Sequence, residues 1–79
     1  MTVQVLFFGA TSDITGQRCV DMELPPEATA NIAFDEIKKT FPKLNDHKLH
    51  FAVNEKYATG EEILSDGDEL AIFTAVSGG

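Results

Sequence analysis

The stretch Val3-Gln4-Val5-Leu6-Phe7-Phe8 reads as a β-strand, because β-branched and aromatic residues fill it and Gly9 closes it. Period-two alternation assigns Val3, Val5 and Phe7 to one face, and Leu6 and Phe8 to the other. A strand apolar on both faces is either central in its sheet or meets a partner on its second face. A second such segment lies near the other end of the chain, Glu69-Leu70-Ala71-Ile72-Phe73, where Leu70 and Ile72 share one face and Phe73 points to the opposite one with Ala71 and Ala75. It follows Ser65-Asp66-Gly67-Asp68, a turn without the spacing of a calcium loop.

Working inward from these two segments, Thr11-Ser12-Asp13 and Gly16 supply turn chemistry after the first strand. A second strand from about Arg18 to Leu24 sets Val20, Met22 and Leu24 against Cys19, Asp21 and Glu23, and is expected to form a hairpin with the first. Pro25-Pro26 ends it. Thr29 is the expected N-cap of a helix running to about Phe41, with Ala30, Ala33, Phe34, Ile37 and Phe41 in one apolar stripe that covers the sheet. Lys38 and Lys39 complement the dipole in the last turns, and Pro42 marks the stop. After a loop through Asn45-Asp46, Leu49, Phe51 and Val53 alternate with His50 and Ala52 in a third strand. Asn54-Glu55 reads as a turn, Lys56-Tyr57-Ala58 as a short return strand, and Gly60-Glu61-Glu62 as a loop or a single helical turn.

This order, with one main helix and a mixed sheet, predicts an α+β fold. Joining the first and last strands side by side and parallel, across the helix, satisfies the right-handed crossover rule and gives a β-grasp layout. It also accounts for their two apolar faces: one meets the helix, and Phe8 and Phe73, with Leu6 and Tyr57, form a patch on the other. Such a patch points to an interaction surface.

Composition bounds what such a domain does. The chain has 79 residues, 43% hydrophobic and 24% charged, so one globular domain over residues 1–79 is expected. Its one cysteine, Cys19, excludes an internal disulfide and fits a reducing compartment. With no basic segment at the start and no long apolar run, the expected location is cytoplasmic. Thirteen acidic against six basic residues give a formal charge of −7, which disfavours nucleic acid and anionic membranes as partners. His47 and His50 are too few for a closed metal site, so no metal is expected. No nucleophile elbow, phosphate loop or triad spacing is present, so a substrate or donor is expected rather than an independent catalyst.

The sequence ends on Thr74-Ala75-Val76-Ser77-Gly78-Gly79. Two residues without a Cβ let the backbone lie against another protein's surface and leave the terminal carboxylate open to approach. On these residues alone a frayed end is the commoner reading, since termini usually fray, and a reactive terminus for a narrow site is the sharper one.

Val5-Leu6-Phe7-Phe8, Ala52-Val53-Asn54, and Asp66-Gly67-Asp68-Glu69 running into Val76-Ser77-Gly78-Gly79 resemble the small subunit of molybdopterin synthase, in order and over nearly the whole chain. The resemblance implies a ubiquitin-like fold and a sulfur carrier. A ubiquitin-activating-like adenylyltransferase would use ATP to adenylate the Gly79 carboxylate, and a sulfurtransferase would supply the sulfur that replaces AMP to give a thiocarboxylate. The tail, with Gly78 and Gly79 reacting and Val76 and Ser77 in contact, would then enter the large synthase subunit. There sulfur would pass to cyclic pyranopterin monophosphate, within a heterotetramer whose catalytic residues sit on the large subunit. Phe8, Tyr57 and Phe73 match that family's docking face, and no cofactor is expected on this chain. Many members carry prolines where Thr74-Ala75 stand, and an Arg-Glu pair where Ser12-Asp13 stand. A sulfur carrier for thiamine synthesis or tRNA thiolation, and a ubiquitin-like modifier forming isopeptide bonds through Gly79, are the alternatives.

Overall fold

The computed structural model describes residues 1–74. In chain order it contains β1 (Thr2–Phe7), α1 (Ala10–Thr15), β2 (Cys19–Glu23), α2 (Ala30–Thr40), a 3-10 helix (Pro42–Asp46), β3 (Leu49–Val53), β4 (Lys56–Tyr57) and β5 (Glu69–Thr74). The five strands form one mixed sheet in the order β2-β1-β5-β3-β4, with α2 packed on one face, which is the β-grasp layout. The two strands apolar on both faces are central, and they run parallel, with Val5 opposite Leu70 and Phe7 opposite Ile72. β2 and β3 add antiparallel on either side of that pair.

One face of the sheet carries Val3, Val5, Phe7, Leu70 and Ile72, all buried, against Ala30, Ala33 and Ile37 of α2. The stripe expected from helical spacing is therefore the packed face. Thr29 caps α2 by accepting a hydrogen bond from the Ile32 amide at 3.4 Å, and the Phe41 amide closes its other end on the Ile37 carbonyl. Rings seal the ends of this core, since Phe7 meets Phe41 edge-on at 5.5 Å and Phe34 lies 4.6 Å from Phe51. Lys38 and Lys39 pair with Asp35 and Glu36 one turn back, each at 3.6 Å. Their role is on the helix surface, as expected for lysines in a last turn.

Two connections differ from the sequence reading. Thr11-Ser12-Asp13 and Gly16, read as turn residues, belong to the short helix α1 and its C-cap; the helix is entered and left through glycines at positive φ, Gly9 at 57° and Gly16 at 73°. Packing decides this: Thr11 is fully buried, and its hydroxyl oxygen lies 2.7 Å from the Phe8 carbonyl and 2.9 Å from the Ile72 carbonyl, with one proton to share between them. The loop expected through Asn45-Asp46 is the 3-10 helix, which buries Leu44 completely. The segment 60–62 is a loop rather than a helical turn.

Candidate functional site

The face of the sheet turned away from α2 has no covering element among the described residues. Register builds it row by row. Cys19, Leu6, Ala71, Ala52 and Tyr57 line up across all five strands, and one step further along β5 Phe73 stands opposite His50. Phe8 belongs to the same phase, its amide bonded to the Ile72 carbonyl at 3.0 Å. Phe73 is the hub: its ring lies 5.9 Å from that of His50, nearly parallel, and 5.8 Å from that of Tyr57, edge-on. Tyr57 is 80% exposed and Phe8 52%. A Tyr with so much free ring area presents an apolar body and a polar tip, the side-chain type that dominates binding surfaces.

The face is polarised along the strands. At the start of β1 and β5, Gln4 stands between Asp21 and Glu69. Below it, Asp66 accepts the Thr2 amide at 2.7 Å and Asp68 accepts the Asn54 side-chain amide at 3.0 Å. The acidic end thus opposes an aromatic end, and residue 75 follows Thr74 at the aromatic one, where Thr74 pairs with Leu49.

Of the residues expected at the site, Phe73 and Tyr57 are in ring contact, and Phe8 and Leu6 share their face. Val76, Ser77, Gly78 and Gly79 lie outside the described residues. Sequence reasoning missed His50 as a member of the patch. Its alternation with Phe51 was visible, but which face of β3 turns outward depends on the pairing of His50 with Phe73 across 23 positions. Among the described residues no group of three or more His, Cys, Asp and Glu is placed to hold a metal, and no helix is long and apolar enough to cross a membrane. Cys19 is exposed at one end of the Leu6 row.

Comparison with known proteins matches residues 5–79 to the model of the ThiS family. The human molybdopterin synthase sulfur carrier subunit is 35% identical, the alignment covering 98% of this chain and 93% of that protein. A putative molybdopterin converting factor subunit 1 from Pyrococcus furiosus superposes with a TM-score of 0.89 at 28% identity, over 96% of this chain and 99% of that one. SAMP1 from Haloferax volcanii superposes with a TM-score of 0.87 at 28% identity over the full length of both chains.

Proposed function

We propose, from the premise that this chain belongs to the ThiS family, that it is the sulfur-carrying small subunit of a molybdopterin synthase. The observation that carries this reading is the near end-to-end match with molybdopterin synthase sulfur carrier subunits, 98% of the chain in the human case, on a family match that runs to Gly79. The chemistry follows from what a carboxylate cannot do unaided. It is a poor acyl donor, so an adenylating enzyme first joins the Gly79 carboxylate to AMP from ATP, releasing pyrophosphate. The terminal sulfur of a sulfurtransferase persulfide then attacks the acyl carbon and AMP leaves; a thiol next cleaves the resulting acyl disulfide, forming a disulfide with the sulfurtransferase cysteine and releasing the thiocarboxylate. Its sulfur is a softer nucleophile than oxygen and passes to cyclic pyranopterin monophosphate in the large subunit.

The described part of the chain supports the docking half of this scheme. Phe8, Tyr57 and Phe73 offer an apolar surface at the end of β5 from which the tail continues. A partner that covers this surface holds residues 75–79 at a fixed origin, and five residues reach at most about 18 Å beyond it. With no Cβ on Gly78 and Gly79, the end of that reach can enter a channel too narrow for side chains. We place this work in the cytoplasm, in a heterotetramer with the large subunit.

The test is to incubate the chain with ATP, an adenylating enzyme, a sulfurtransferase supplied with thiosulfate and a thiol reductant, and to read its intact mass and C-terminal fragments. The expected product has one oxygen of Gly79 exchanged for sulfur; full sulfur transfer by a chain lacking Gly79 would sink the reading. The likeness to SAMP1 favours a second reading, a modifier joined through Gly79 to lysines of other proteins. That reading predicts a ladder of conjugates on a denaturing gel, whereas a dedicated carrier gives none.

A further inference from the structure

β2 and α2 leave between them a groove on the opposite side of the sheet from the aromatic patch. β2 is an edge strand. Its ladder with β1 includes bonds from the Phe7 amide to the Arg18 carbonyl and from the Leu24 amide to the Met1 carbonyl. Bonded and non-bonded pairs alternate in an antiparallel ladder. Arg18, Val20, Met22 and Leu24 therefore turn their backbone groups to β1, and Cys19, Asp21 and Glu23 turn theirs to the open edge. No bond to those outward groups is present among the described residues. An edge of this kind is a template for another strand.

Beside that edge lies a cavity of about 470 Å³, with Val20 and Met22 on the strand wall and Ile32 and Phe41 on the helix wall. Ile32 is 45% exposed, although it sits on a helix whose buried stripe is Ala30, Ala33 and Ile37. The rim is acidic, with Asp21, Glu23 and Glu36 all exposed and no basic residue lining the groove.

We propose that the β2 edge and this groove bind an extended segment of another protein in which apolar residues alternate with lysine or arginine. The register dictates that pattern. A strand added to β2 places every second side chain on the α2 side, over Val20, Met22 and Ile32, and the others on the outer side, beside Asp21 and Glu23. Apolar residues fill the first set and cations pair with the second. A second copy of this chain is the poorer occupant, because β2 against β2 sets Asp21 and Glu23 against the same acidic side chains. Residues 75–79 contain no cation to meet the rim.

The probe is the blocked heptapeptide Lys-Val-Lys-Ile-Lys-Val-Lys, titrated into the isotopically labelled chain and followed by amide NMR. Saturable binding tighter than about 1 mM is expected, with the largest shifts at Cys19, Asp21, Glu23 and Ile32. The same peptide with glutamate for lysine should bind at least about tenfold more weakly. So should the lysine peptide with Ile32→Lys, a substitution on an exposed helix position whose fold is checked by circular dichroism. Absence of binding, shifts centred on Tyr57 and Phe73, equal binding of both peptides, or a β2-mediated dimer in sedimentation would each overturn the proposal. The titration reads no sulfur chemistry, so neither result bears on Gly79.

Discussion

At the scale of single residues, Thr11 joins three parts of the fold through one hydroxyl. Its oxygen lies within hydrogen-bond reach of the Phe8 and Ile72 carbonyls, so α1 is anchored to the ends of β1 and β5. Thr11→Val keeps the volume and removes the donor. Both carbonyls retain amide partners, Thr11 N–H for Phe8 and Phe8 N–H for Ile72, so the expected cost is about 1 kcal/mol, read from the urea midpoint. Nothing in Thr11-Ser12-Asp13 separates a turn from a helix locally. The decision rests on a contact with Ile72, 61 residues away. Glu62 organises the loop before β5 in a different way. Its carboxylate accepts the amides of Thr59 and Gly60, each at 2.8 Å, and the bond from Thr59 is the leading cause of a pKa held below the ordinary glutamate value. A depressed folded pKa contributes stability that is present above the unfolded value and lost as pH falls through the folded one. Melting between neutrality and about pH 3 should therefore show an acid-side loss that Glu62→Gln makes shallower.

At the scale of elements, the sheet offers two surfaces of different chemistry, and the sequence displayed them unequally. The inner surface was legible because its signals are local: period two in Val3, Val5 and Phe7, period 3.6 in Ala30, Ala33 and Ile37, and a cap at Thr29. Phe8, Tyr57 and Phe73 were legible as aromatics out of phase with the core. His50 was not, because its membership comes from strand pairing and not from any pattern in Leu49–Val53. The outer surface also makes a separable prediction. Tyr57 is 80% exposed, so Tyr57→Ala should change folding stability by no more than about 0.5 kcal/mol. On the proposed docking scheme, the variant's affinity for a large synthase subunit should fall by about tenfold or more, measured by calorimetry. Equal affinity would remove the aromatic patch from the docking scheme.

At the scale of the whole molecule, charge and topology set the behaviour. A formal charge of −7 on 79 residues is self-repelling. The melting temperature should rise by a few degrees as sodium chloride is raised from about 10 to 150 mM, where the screening length shortens from roughly 30 to 8 Å. A scan that is flat with salt would place the acidic groups too far apart to matter. Topology has a mechanical consequence. β5 lies between parallel β1 and antiparallel β3 and hands the chain on at Thr74. A pull on the tail runs along β5, at right angles to the antiparallel bonds and across the slanted parallel ones. Both ladders are then sheared as a whole and cannot be peeled bond by bond. A load applied beyond Thr74 is therefore borne by two ladders at once, and the domain behind it is built as an anchor.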